Sequence, residues 1–189
     1  MRRILIGALV GGILLFVCQT LSWTVLNLHQ KANQYTPKQT EILQYLGTQL
    51  PEAGQFYLPN HPESVSMDES MKLMEAAVGK PWAIISYHKS MEINMVMNMI
   101  RGLLVDFLTV GLLCWILVKI NVPTYQTIFV ASLFTGLIVF LNAPYTHHIW
   151  YQSFDLMAHF IDAIVGWGVV GLWLGYWLTK VNKNRTAVR

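Results

Sequence analysis

Charge is scarce in this sequence. Of 189 residues only 12% are Asp, Glu, Lys or Arg, and 54% are hydrophobic. A soluble domain carries about 25% charged residues, so an ordinary water-soluble fold is excluded, and the mean hydropathy of +0.42 agrees. Cysteine is nearly absent. Cys18 and Cys114 both fall inside apolar runs, where they act as small buried hydrophobes, so neither a disulfide framework nor a cysteine metal site follows. Phosphate-binding loops, HExxH, CxxC and haem-attachment motifs are missing, as is any nucleophile–base pair. There is no internal repeat and no low-complexity run. The formal net charge is +3, but the basic residues gather at the two termini and form no patch, which excludes a nucleic-acid partner.

Long apolar runs fill the space that charge leaves. Met1-Arg2-Arg3 precedes a run from Ile4 to about Leu26. A signal peptide has an apolar region of only about 7–15 residues and a small-residue cleavage site. This run is longer and holds no Ala-x-Ala, so residues 1–26 read as a retained transmembrane helix. Gly7 and Gly11 give it a small-xxx-small face for close helix contact. Further runs lie at Arg101–Val118, Ile128–Leu141 and Ala158–Leu178, with a turn around Pro123 and a basic tail after the last. The fold class expected is all-α: a four-helix transmembrane bundle with a small helical insertion between spans one and two.

The insertion covers residues 27–81, and its stretch from Asn27 to Gly79 holds Pro37, Pro51, Pro59 and Pro62, four of the chain's seven prolines. Thr36-Pro37-Lys38-Gln39 and Ser66-Met67-Asp68-Glu69 read as capping boxes for two short amphipathic helices near Pro37–Leu50 and Met67–Val78. Pro51–Pro62 reads as a loop, and no sheet of more than two strands is expected. The segment is too small for a core of its own. Residues 82–189 then read as one long helix entering span two, followed by spans three and four.

Arg2, Arg3, Lys119, Lys180, Lys183, Arg185 and Arg189 fall on one side of a four-span topology, with no acidic residue among them. The positive-inside rule makes that side cytoplasmic. Both termini are then cytoplasmic, and the 27–81 insertion lies outside.

The candidate site residues are polar groups on otherwise apolar helices. Stepping at about 100° per residue puts His88, Glu92, Met95, Met99, Gly102 and Asp106 within roughly 40° of one line. His159 and Asp162, three apart, share a face of the last span. Carboxylates are costly in lipid, so Asp106 and Asp162 are expected to face the bundle interior at matched depths in its outer half. His88, Glu92, Asp106, His159 and Asp162 are the expected cluster. A bundle-stabilising polar network is one reading of it, and a metal, proton or ligand site is the other. The inner halves of the spans offer an ion almost nothing polar, which argues against a conduction path. Gly168, Gly171 and Gly175 form a glycine face for contact within the bundle or between protomers. Membrane lipid is an expected partner, and a protein partner or a second copy at the glycine faces is an open alternative. The residues leave any cofactor and any metal unknown and name no catalytic residue.

Gly79-Lys80-Pro81-Trp82-Ala83, Arg101-Gly102…Asp106 and Trp167-Gly168…Gly171-Leu172-Trp173-Leu174-Gly175 resemble segments of small bacterial four-span integral membrane proteins of unassigned activity. The resemblance covers nearly the whole chain. It implies a bacterial inner membrane and contributes nothing about sites. The function expected is a non-enzymatic bundle that binds a partner protein, lipid or small ligand at its outer face. The alternative is metal or proton handling by an outer His/Asp/Glu cluster.

Overall fold

The structure is a computed structural model that describes residues 1–120 and 123–186, with side chains as far as Lys180. Residues 121–122 of the predicted turn lie outside the described residues, as do Arg189 and the side chains of Lys183 and Arg185 in the basic tail. The chain is mostly helical and divides into two compact units, Met1–Gln34 with Asn94–Arg189, and Tyr35–Ile93.

The first unit is built from α1 (Arg2–Thr20), which continues as a π-helical turn over Leu21–Val25, and α4 (Met95–Leu117), α5 (Tyr125–Phe140), α6 (Thr146–Trp150) and α7 (Leu156–Thr186). Among the described residues, four helical segments are long and apolar enough to cross a membrane: Arg2–Val25, Met95–Leu117, Tyr125–Trp150 and Leu156–Lys180. By length and composition this is a multi-pass membrane protein. The third segment exceeds the predicted Ile128–Leu141, because α5 runs on through a π-turn at Leu141–Tyr145, which contains Pro144, into α6. Much of each segment's apolar surface stays exposed. Leu5, Leu9, Ile13 and Val17 form such a stripe on α1, and Leu104, Leu108 and Leu112 form another on α4. In water these stripes would be a liability; in a bilayer they face acyl chains.

Glycine sets how the helices meet. α1 packs on α4 and α7, and α5 packs on α7. A Cβ at Gly12 would lie 3.0 Å from the backbone nitrogen of Phe107, and one at Gly11 would lie 2.8 Å from Val110 Cγ1. One at Gly175 would lie 2.8 Å from the Tyr125 ring, and one at Gly171 would lie 3.2 Å from the Phe129 carbonyl oxygen. The glycine faces predicted on the first and last spans are thus filled from within the chain. Leu15, Val110, Leu113, Cys114, Leu117, Ile128, Trp167, Val170, Leu174 and Leu178 form the core between the helices. Toward the N-terminal end of α1, Trp177 and Trp173 donate their indole N–H groups to the backbone oxygens of Arg3 (3.0 Å) and Gly7 (3.3 Å).

The second unit corrects the expectation of a purely helical insertion and of a long helix from residue 82. Helices α2 (Gln39–Gln49) and α3 (Met67–Ala77) are present, but β1 (Gly54–Leu58) and β2 (Ala83–Tyr87) pair antiparallel, from Gly54 opposite Tyr87 to Leu58 opposite Ala83. Ala-Ile-Ile-Ser-Tyr is rich in β-branched and aromatic residues, and Gln-Phe-Tyr-Leu supplies a partner edge, so pairing overrides the helical spacing. Helix α4 starts only at Met95, where the Asn94 side chain accepts the Met97 N–H at 3.0 Å. The Ser66 cap forms, accepting the Glu69 N–H at 3.3 Å. The Thr36 box does not: α2 begins at Gln39 without a side-chain cap, and the Thr36 hydroxyl accepts the Lys38 N–H at 3.4 Å instead. No residue from Tyr35 to Ile93 is buried.

The packing predicts unequal tolerance among the glycines. A Cβ at Gly136 would lie 2.5 Å from the Ala163 carbonyl oxygen, while one at Gly168 would meet only Leu133 Cδ2 at 3.7 Å. Gly136→Ala should therefore cost about 1–3 kcal/mol, and Gly168→Ala should leave thermal unfolding in the same detergent unchanged. Equal behaviour of the two variants would contradict the packing.

Candidate functional site

The polar residues of the first unit converge where α1 ends and α7 begins. After the π-turn, Asn27 adopts a left-handed φ of 49°, which asparagine tolerates better than most residues. The Leu28 N–H is accepted by the Ser22 carbonyl at 3.1 Å. The chain therefore folds back at once, and His29 is set into the protein with 2% of its surface exposed. Trp23 lies flat on the imidazole, with ring centroids 3.9 Å apart and planes 3° from parallel. That stack covers one face of the ring and leaves its edge to make polar contacts.

Both edge nitrogens meet carboxylates. His29 Nδ1 is 2.7 Å from Asp155 Oδ2, and Nε2 is 3.0 Å from Asp162 Oδ2. Each contact needs a proton between nitrogen and oxygen, so the ring and the two carboxyl groups hold two protons among them. The trio then carries one net negative charge, whichever atoms bear the protons. His159 completes the cluster: its Nε2 is 3.4 Å from the same Asp155 oxygen, and its ring meets the His29 ring edge-on at 4.7 Å. Asp155 is 7% exposed and His159 35% exposed, so the cluster is sealed on the Asp155 side and open on the His159 side. The donor atoms of His29, Asp155 and His159 all lie within 4.8 Å of one another.

The expected residues are divided by this geometry. His159 and Asp162 belong to the cluster. Asp106 does not. It sits at the middle of α4, with eleven helical residues on either side (Met95–Val105 and Phe107–Leu117). Its Oδ1 accepts from Gln19 Nε2 at 3.3 Å, and its Oδ2 is buried with no hydrogen-bond partner among the described residues. Contacts along α1 show the difference in depth. Gly12 lies against Phe107, whereas Leu15 lies against Gly166, one turn inward of Asp162. At about 1.5 Å per residue, Asp106 is roughly 10 Å deeper than Asp162. Among the described residues no hydrogen bond joins the two groups, and the buried Ser22 hydroxyl has no partner. His88 and Glu92 belong to the Tyr35–Ile93 unit and precede α4, so the predicted helical stripe from His88 to Asp106 does not exist.

His29 and Asp155 were not among the expected residues. Asp155, His159 and Asp162 stand at i, i+4 and i+7, a spacing that puts three side chains on one helix face. Starting the last span at Ala158 leaves Asp155 in the loop and hides that stripe. His29 carries no local signal, because only the Asn27 turn brings it back. His148 lies elsewhere: its Nδ1 accepts the Ser153 N–H at 3.1 Å.

The second unit has a separate polar contact. His61 Nε2 is 2.5 Å from Ser70 Oγ, and His61 Nδ1 is 3.2 Å from the Pro62 carbonyl oxygen. The carbonyl accepts only, so Nδ1 carries the proton and Ser70 donates to Nε2. His61 also lines a cavity of about 490 Å³ with Tyr57, Leu73, Met74, Lys80 and Trp82.

Comparison with protein-family models, curated proteins and solved structures finds no match to the chain.

The buried clamp makes a stability prediction. His29→Ala would leave the Asp155 carboxyl group buried without its proton partner and should cost about 3–5 kcal/mol. Asp155→Asn keeps an acceptor for Nδ1–H and should cost under about 1.5 kcal/mol. Chemical unfolding of both variants measures the difference, and a His29→Ala variant as stable as the parent would refute the clamp.

Proposed function

We propose that this chain is a non-enzymatic multi-pass protein of a bacterial inner membrane, with both termini cytoplasmic, that binds a small cation at the His29–Asp155–His159–Asp162 cluster on its outer face. The burial of His29 between two carboxylates carries the binding reading. A purely structural pair is complete with one carboxylate, whereas here a second carboxylate and a second imidazole converge on the same few ångströms. Such excess of donors in a site open on one side is what a cation-binding site requires. The bundle beyond the cluster favours binding over conduction, because its core toward the other end is lined by Leu117, Ile128, Val170, Leu174 and Leu178, and a path would need polar groups along its whole length. The orientation rests on the basic residues at both termini and at Lys119, and on the positive-inside rule.

A second reading has one contact in its favour. Ser70 and His61 are paired as a nucleophile and its base are, with the base held by a carbonyl group, beside a cavity that could take a small substrate. A hydrolytic activity abolished by Ser70→Ala would replace the non-enzymatic reading.

Two measurements test the proposal. Reporter fusions after His61 and after Arg189 should report opposite sides of the membrane, and finding both on one side would sink the topology. Thermal unfolding should be followed against divalent metals, organic ammonium ions and protons. A ligand at 100 times its Kd stabilises by about 2.7 kcal/mol, so at least one cation should raise the midpoint in the parent and not in His159→Ala. A midpoint indifferent to every cation would refute the binding reading.

A further inference from the structure

The reading of the cluster as a cation site leaves the cation open, and the donor geometry narrows it. Asp155 Oδ2 faces both imidazoles, at 2.7 Å from His29 Nδ1 and 3.4 Å from His159 Nε2. A metal with bonds of about 2.0–2.2 Å in tetrahedral geometry holds its ligand atoms roughly 3.3 Å apart. The His159–Asp155 separation already has that value. The His29–Asp155 separation reaches it once the proton between the two atoms leaves and they part by roughly 0.6 Å.

Asp162 cannot join the same ion, because it sits at the other ring nitrogen of His29, which points away. It does instead what a carboxylate does beside a metal-bound imidazole: it accepts the remaining N–H, fixes the tautomer and raises the basicity of the ligating nitrogen.

We propose that the cluster is a three-ligand site for a divalent transition-metal ion, held by His29 Nδ1, Asp155 Oδ2 and His159 Nε2, with Asp162 as the positioning residue for His29. Two imidazoles and one carboxylate suit Zn²⁺ or Fe²⁺ and disfavour Mg²⁺ and Ca²⁺, which take oxygen ligands. The fourth position opens on the side where His159 is exposed and is available to water or an exogenous ligand. The inference rests on the cation-binding reading above.

The test is calorimetric titration of the full-length protein, carrying no polyhistidine tag, in lipid nanodiscs with Zn²⁺ alone. Two buffers of different ionisation enthalpy count the protons released. The expected result is one Zn²⁺ per chain with about one proton released, and no binding of Mg²⁺ or Ca²⁺ under the same conditions. His159→Ala removes the most exposed ligand, leaves the His29 clamp in place and should abolish one-to-one binding. Asp162→Asn should keep the stoichiometry and lower the affinity about 10–100-fold, which a carboxylate with a merely structural role would not do. One-to-one Zn²⁺ binding that survives His159→Ala would overturn the assignment, as would Mg²⁺ binding as tightly as Zn²⁺. If Zn²⁺ fails to bind while ammonium ions or protons still stabilise the fold through these residues, the metal is wrong and the cation reading stands. If no cation acts through them, both fall.

Discussion

An imidazole removed from water with a carboxylate on each edge sets the terms for this structure. Neither acid is cheap to bury alone, and a neutral ring with no shared proton could not face both. The contacts exist because His29 and the two aspartates share two protons over distances of 2.7 and 3.0 Å. Trp23 supplies the apolar cover that keeps water from one face of the ring. The site is assembled from the segment after the first span and the start of the last, so it also ties α1 to α7. The same two helices carry the glycines that let the bundle close.

The polar groups are graded along the bundle. The His29 cluster lies at the end where α1 finishes, Gln19 and Asp106 lie deeper, and the core toward the other end is apolar apart from Ser132, whose hydroxyl donates to the Ile128 carbonyl oxygen. Asp106 keeps one oxygen buried without a partner among the described residues. At mid-helix such a group is expensive, and Gln19 offsets only part of that cost. The exposed stripes of α1 and α4 are apolar, and a carboxylate turned to that side in a bilayer would be costlier still.

Much of this was legible in the sequence, for identifiable reasons. Four apolar runs near bilayer length correspond to four helices long and apolar enough to cross a membrane, where a backbone in lipid must satisfy its own hydrogen bonds. The Ser66 cap follows from a local rule and forms as read. The Thr36 box obeys the same rule and fails, since the hydroxyl bonds the Lys38 N–H instead. The stretch after Trp82 fails more instructively. His88, Glu92, Met95 and Met99 fit a helical stripe, but Ala83–Tyr87 pairs antiparallel with the distant strand Gly54–Leu58, Gly54 opposite Tyr87 and Leu58 opposite Ala83. Non-local pairing leaves no trace in helical spacing. The site was half legible: His159 and Asp162 stand on one visible face, Asp155 lies one turn before the expected helix start, and His29 enters through a single left-handed asparagine.

The most direct measurement is ¹⁵N NMR of histidine-labelled protein in nanodiscs without added metal, with His29 assigned by substitution. The account predicts that both His29 ring nitrogens share protons in hydrogen bonds. Asp155→Asn should shift the Nδ1 signal and Asp162→Asn the Nε2 signal, each largely independently of the other. A His29 ring with one bare nitrogen and resonances indifferent to both substitutions would contradict it.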